Sequence, residues 1–164
     1  MILDLLLLRH ATAEDHGLKP DADRALTEKG QRQGRRVARF LQAHHLRPDL
    51  VLSSPIRRAF ETAERVCQEL QLARPVSEPW LTAGVAGREF LQEIQAYREL
   101  PCLLVVGHEP DLSALIGHLL GGSAFSVRLK KASLAHLRGE MRRAGSATLQ
   151  SLVPCAYLPP ETSH

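Results

Sequence analysis

Aromatic side chains make up only 4% of this sequence: four Phe, two Tyr and one Trp. That is too few for the row of stacking platforms on which single-stranded nucleic acid is held. Cysteine is as scarce. Cys67, Cys102 and Cys155 are widely spaced and odd in number, with no CxxC pair, which argues against a disulfide framework and against a thiolate metal site. Cys67 and Cys102 lie in apolar runs and read as reduced core residues. No run approaches the roughly 18 apolar residues of a membrane helix. The opening MILDLLLL has no basic segment before it and is cut off at Arg9, so it does not read as a signal peptide. The expected location is cytoplasmic, without membrane association.

What is present is an ordinary globular composition. The 164 residues are 44% hydrophobic, enough to enclose one core and too few to suggest two, so residues 1–164 are expected to form a single domain. The formal net charge of +3 and a pI near 9.0 suit anionic substrates but also many other soluble proteins. Arg32, Arg35, Arg36 and Arg39 form a basic cluster in the first helical segment. A solvated helix face explains them, and no nucleic-acid partner is expected.

Short apolar runs alternate with amphipathic stretches. A strand is expected over residues 2–8, ending at Arg9-His10, and a helix capped by Thr27 should run to His44. Leu50-Val51-Leu52 reads as a second strand that stops at Ser53-Ser54-Pro55. From Ile56 to Leu70 apolar residues recur every three or four positions, a helix with Pro55 suited to its first turn and Ser54 to its cap. Residues 74–87 resist reading. A helix is expected over 87–98, followed by the apolar strand 102–106, which ends at Gly107-His108. Pro110 then opens a helix closed by Gly121-Gly122, and strands over 132–137 and 147–153 form an antiparallel hairpin. Alternation of this kind predicts an α/β fold, a three-layer α/β/α sandwich around a mainly parallel central sheet.

Open α/β sheets bind ligands at the carboxyl ends of their parallel strands. Here those ends carry Arg9-His10, Ser54 to Arg58, and Gly107-His108. Any one of them could simply meet water, but their convergence points to a site. Two guanidinium forks match phosphate oxygens and stay charged at any working pH, and a helix start at the same place adds backbone N–H groups. Of the pair Arg57-Arg58, one need face the crevice and the other solvent. A metal held by His10 and His108 would sit beside two fixed positive charges with no carboxylate or thiolate cluster to offset them. No metal or organic cofactor is therefore expected.

Taken together, Leu8-Arg9-His10-Ala11, Ser54-Pro55-Ile56-Arg57-Arg58-Ala59 with Thr62-Ala63, and Gly107-His108-Glu109-Pro110 resemble the histidine phosphatase superfamily, the phosphoglycerate mutase-like fold. The likeness extends to Arg24-Ala25-Leu26-Thr27 with Gly30 and to Lys130-Lys131-Ala132-Ser133, so it spans nearly the whole chain. Within the superfamily the chain is most similar to the small SixA-type phosphohistidine phosphatases. Ala11 stands where most of the superfamily has Gly, an exchange that fits this branch better than the mutases.

The resemblance implies His10 as nucleophile, with Arg9, Arg58 and His108 holding the phosphoryl oxygens and Ser54 at the substrate. It also places the second arginine at Arg58 and not Arg57. Members acting on alcohols use a carboxylate acid, for which Glu78 and Glu14 are the candidates here. The expected function is hydrolysis of phosphohistidine on a phosphorylated protein, such as a phosphotransfer domain. The alternatives are a phosphatase of a small phosphomonoester, a sugar phosphate or nucleotide, and a phosphate-reading module without turnover.

Overall fold

Leu5, Leu6, Leu7 and Leu8 are all fully buried, which consecutive strand residues achieve only when both faces of the sheet are covered. The computed structural model describes residues 1–82 and 84–161; Ala83, inside the stretch that resisted reading, lies outside it. The elements run β1 (Leu3–Arg9), α1 (Glu28–Ala43), β2 (Leu50–Ser53), α2 (Arg57–Leu70), β3 (Val76–Ser77), α3 (Gly87–Ile94), β4 (Cys102–Gly107), α4 (Asp111–Leu119), β5 (Leu134–Gly139) and β6 (Ala147–Val153). The sheet order is β3-β2-β4-β1-β5-β6. Strands β3, β2, β4 and β1 are parallel, and β5 and β6 complete the sheet antiparallel.

Alternation along β1 assigns the layers. Leu6 and Leu8 pack with Val37 and Leu41 of α1 and with Ala63 and Val66 of α2. Leu5 and Leu7 pack on the other face with Phe90 of α3 and with Leu115 and Ile116 of α4. This is the α/β/α sandwich with a mainly parallel sheet that the alternation of segments predicts. No helix among the described residues is long and apolar enough to cross a membrane.

Three boundaries differ from expectation. α2 starts at Arg57 with Ile56 as its cap residue. Ser54 Oγ accepts the Ile56 N–H at 3.2 Å, closing a turn before the helix in place of capping it. The helix over 87–98 stops at Ile94 and tightens into a 3₁₀ turn, Gln95–Tyr97. β5 begins at Leu134 and not at residue 132, because Ala132 has a φ of 55°, a left-handed conformation that no strand contains. Thr27 caps α1 as expected, its side chain accepting the Gly30 N–H at 3.1 Å.

Candidate active site

Arg9 and His10 leave the sheet where β1 lies between β4 and β5. The His10 N–H donates to Gly107 O at 3.0 Å, and His10 O accepts from Ala132 N at 3.2 Å. The backbone of His10 is thus fixed from both sides by β4 and by the turn before β5. The residue is only 7% exposed, and its Nδ1 meets Ala11 O at 2.9 Å. A carbonyl only accepts, so Nδ1 carries the ring proton and Nε2 the free lone pair. Burial, reinforced by His108, Arg58 and Arg9 and opposed by the Ala11 carbonyl, pushes the His10 pKa down to about 3. The ring is neutral at physiological pH.

Thr62 couples this strand end to α2. Its hydroxyl donates to Arg58 O at 2.7 Å and accepts the Ala11 N–H at 3.0 Å, so the first turn of α2 is pinned to the residue after His10. Arg58 is nearly buried and its guanidinium is anchored on Asp21: Nη1 donates to the backbone O at 3.0 Å, and Nη2 lies 3.2 Å from Oδ2. Arg57 instead pairs with Glu61 on the exposed side of the helix. Arg9 is held from a third direction, its Nη1 donating to Leu129 O at 2.9 Å. The Leu129 N–H rests on Ser113 Oγ at 3.0 Å, and Ser113 in turn bonds Glu109.

His108 directly follows β4, with its ring centroid 5.4 Å from that of His10. Its Nε2 meets Ser54 Oγ at 2.8 Å. Ser54 Oγ accepts the Ile56 N–H and has no other acceptor for its own hydrogen among the described residues, so it donates to Nε2 and leaves the ring proton on Nδ1. Burial, with the Arg58 charge adding to it, lowers the His108 pKa to about 4.

Arg9, His10, Arg58 and His108 line one pocket of about 390 Å³, together with Asp21 and Glu109. Arg9 Nε, Arg58 Nε and His108 Nδ1 are buried polar atoms without a protein partner, an arrangement that calls for an acceptor-rich anion. The other sequence candidates fall elsewhere. Ser54 is fully buried and outside the pocket lining, with its hydroxyl on His108. Glu14 accepts from Lys19 Nζ at 2.9 Å and from Ala25 N at 2.8 Å. Chiefly through the Lys19 hydrogen bond, its carboxyl is held below the ordinary range, which makes it a poor proton donor. Glu78 spends both oxygens on Trp80 Nε1, at 2.9 Å, and Tyr97 Oη, at 2.6 Å. Neither glutamate is among the pocket residues.

Of the pocket residues with ionisable side chains, Asp15, His16 and Asp21 escaped the sequence reading, and Glu109 entered it only within the motif that follows Val106, without a role. Asp21 sits in a polar loop with no periodicity, and only the fold brings its carboxylate to Arg58. Glu109 is adjacent to His108, but its role in holding the α4 start and the Leu129 segment depends on contacts distant in sequence.

Comparison with known proteins bears on the family and the fold. The model of the histidine phosphatase superfamily, branch 1, matches residues 5–82. An uncharacterized protein of Picosynechococcus is 32% identical over 157 residues, covering 91% of this chain and 90% of that protein. Among solved structures, the protein histidine phosphatase SixA complexed with tungstate aligns with a TM-score of 0.84 at 23% identity, over 94% of this chain and 98% of that one. A mycobacterial glucosyl-3-phosphoglycerate phosphatase aligns with a TM-score of 0.71 at 16% identity, over 92% and 98%. At these identities the structural likenesses establish a shared fold.

Proposed function

Because the chain belongs to the histidine phosphatase superfamily, we propose that it is a phosphatase that hydrolyses phosphohistidine on proteins through a covalent phosphoryl group on His10. The observation that carries the reading is the state of His10: neutral, with Nδ1 engaged by Ala11 O and Nε2 free beside Arg9, Arg58 and His108. In the first step the Nε2 lone pair attacks phosphorus as the bond from phosphorus to the substrate imidazole nitrogen breaks, and that nitrogen takes up a proton. Water then attacks phosphorus, the bond to Nε2 breaks, and orthophosphate and free His10 result. Arg9, Arg58 and the Nδ1–H of His108 offset the charge on the phosphoryl oxygens throughout, so catalysis rests on positioning and electrostatics.

The substrate class follows from the leaving group. An alkoxide needs a committed acid, whereas the imidazole of a phosphoramidate is protonated readily. Of the three carboxylates that line the pocket, Asp21 is engaged with Arg58 and Arg24 and Glu109 with Ser113, while Glu14 and Glu78 are engaged outside it. The fold shared with the protein histidine phosphatase SixA supports the same choice. The second reading, a small phosphomonoester, draws on the fold shared with the mycobacterial glucosyl-3-phosphoglycerate phosphatase and on Asp15, an exposed carboxylate on the pocket rim.

The test compares wild type with His10→Ala, in EDTA, on a phosphohistidine-labelled phosphotransfer protein and on p-nitrophenyl phosphate. Label loss that resists EDTA and falls about a thousandfold or more in the variant is expected. Hydrolysis of the aryl ester alone would move the substrate to a small phosphomonoester. Turnover of neither would favour the phosphate-reading module.

A further inference from the structure

A second cleft, of about 690 Å³, opens beside the catalytic pocket and shares Arg9 and Lys131 with it. It is lined further by Lys29 and Arg36 of α1, by Lys130, and by Tyr157 of the segment after β6. No carboxylate among the described residues lines it. Four cations of the neighbouring helix faces are paired locally: Arg32 with Glu28, Arg35 with Glu161, Arg57 with Glu61 and Arg65 with Glu69. Lys29, Lys130 and Lys131 are exposed and stand within 4.0 Å of no carboxylate among the described residues. The Arg36 guanidinium is fixed by the carbonyls of Leu158 and Pro159, which also hold the Tyr157 segment against α1. Tyr157 itself is 80% exposed.

We infer that this cleft is a docking groove for an acidic surface of the phosphoprotein substrate, lying next to its phosphohistidine. The inference rests on the phosphohistidine reading above and adds what surrounds that residue. A groove continuous with the pocket at Arg9 and Lys131 is occupied by whatever flanks the reacting group. Cations that the protein leaves unpaired attract carboxylates by long-range steering and fix their register. An exposed tyrosine beside them supplies the amphipathic anchor that protein interfaces favour. A nucleic acid would use the same charge, but the chain offers few aromatic side chains for stacking, and duplex DNA has no phosphohistidine to deliver.

The test uses the full chain with Lys29→Glu combined with Lys130→Glu, two positions that line the groove and not the catalytic pocket. On a phosphohistidine-labelled phosphotransfer protein, KM should rise about tenfold or more with kcat retained. The wild-type KM should rise with salt while that of the variant stays nearly flat. On p-nitrophenyl phosphate, which reaches only the catalytic pocket, kcat/KM should change less than about twofold. Equal losses on both substrates, or an unchanged KM on the protein, would overturn the groove.

A fluorescent oligoglutamate peptide titrated into His10→Ala separates this inference from the substrate reading. Its binding, lost when the two lysine changes are added, supports the groove even for an enzyme that leaves phosphohistidine untouched. No binding in the parent would overturn it, as would tighter retention of duplex DNA than of the peptide at physiological salt.

Discussion

The Ser54 hydroxyl is sealed from solvent and donates to His108 Nε2 at 2.8 Å, so under the proposed mechanism its effect passes through the ring. Ser54→Ala removes this bond and leaves His108 free to exchange its ring proton between nitrogens. The expected result on p-nitrophenyl phosphate is a kcat lower by about tenfold, the equivalent of one lost hydrogen bond, with KM within about twofold. ¹⁵N chemical shifts should report a mixed His108 tautomer; a single unchanged tautomer with full kcat would remove Ser54 from the mechanism. Arg9, His10 and His108 were legible because each stands where an apolar run ends, and Arg58 because it opens an amphipathic helix after such an end. Ser54 was legible as part of the site but not in its role, since its partner lies 54 residues away. Asp21 gave no sequence signal, because a loop aspartate is usually solvated and nothing local marks its guanidinium partner.

At the scale of elements, the position of α1 depends on a close approach of backbones. Thr12 O accepts the Thr27 N–H at 3.0 Å, and a Cβ placed on Gly30 would stand 2.1 Å from the same oxygen. Gly30→Ala must therefore push the start of α1 away from the loop that follows His10. A loss of about 3 kcal/mol, at the upper end of overpacking costs, is expected, read as a lower urea midpoint at unchanged slope. Wild-type stability would show instead that helix and loop separate freely. The long apolar periods of α1, α2 and α4 and the buried runs of β1 and β4 made those elements readable. Residues 74–87 were not, because β3 is a two-residue strand and is followed by a 3₁₀ turn, Pro79–Leu81, neither long enough to show a period. The late start of β5 was hidden for a different reason: the left-handed φ of Ala132 is imposed by the turn that delivers its N–H to His10 O, and alanine carries no sign of it.

The whole molecule concentrates positive charge and neutral histidines at the carboxyl ends of its parallel strands, and this arrangement couples its stability to pH. In the unfolded chain a histidine protonates near 6.5, whereas in the fold His108 does so at about 4 and His10 at about 3. As pH falls below about 6.5 the unfolded chain takes up protons that the fold refuses, so these two groups favour unfolding progressively down to about pH 4 and, for His10, to about 3. Above pH 7 both are neutral in either state and contribute no pH dependence. The Tm of wild type should therefore drop between pH 6.5 and 4.5, and the drop should be shallower in His10→Asn and His108→Asn, which carry no titrating ring. Carboxylates with lowered pKa, such as Asp21, also lose stabilisation on acidification, but equally in all three proteins, so the difference in slope isolates the histidines. Saturating orthophosphate supplies negative charge at the rings, makes their protonation in the fold easier and binds only the folded chain. It should raise Tm and flatten the wild-type slope towards that of the variants. Parallel slopes with and without orthophosphate would mean that the anion binds away from His10 and His108, and the pocket assignment would fall with them.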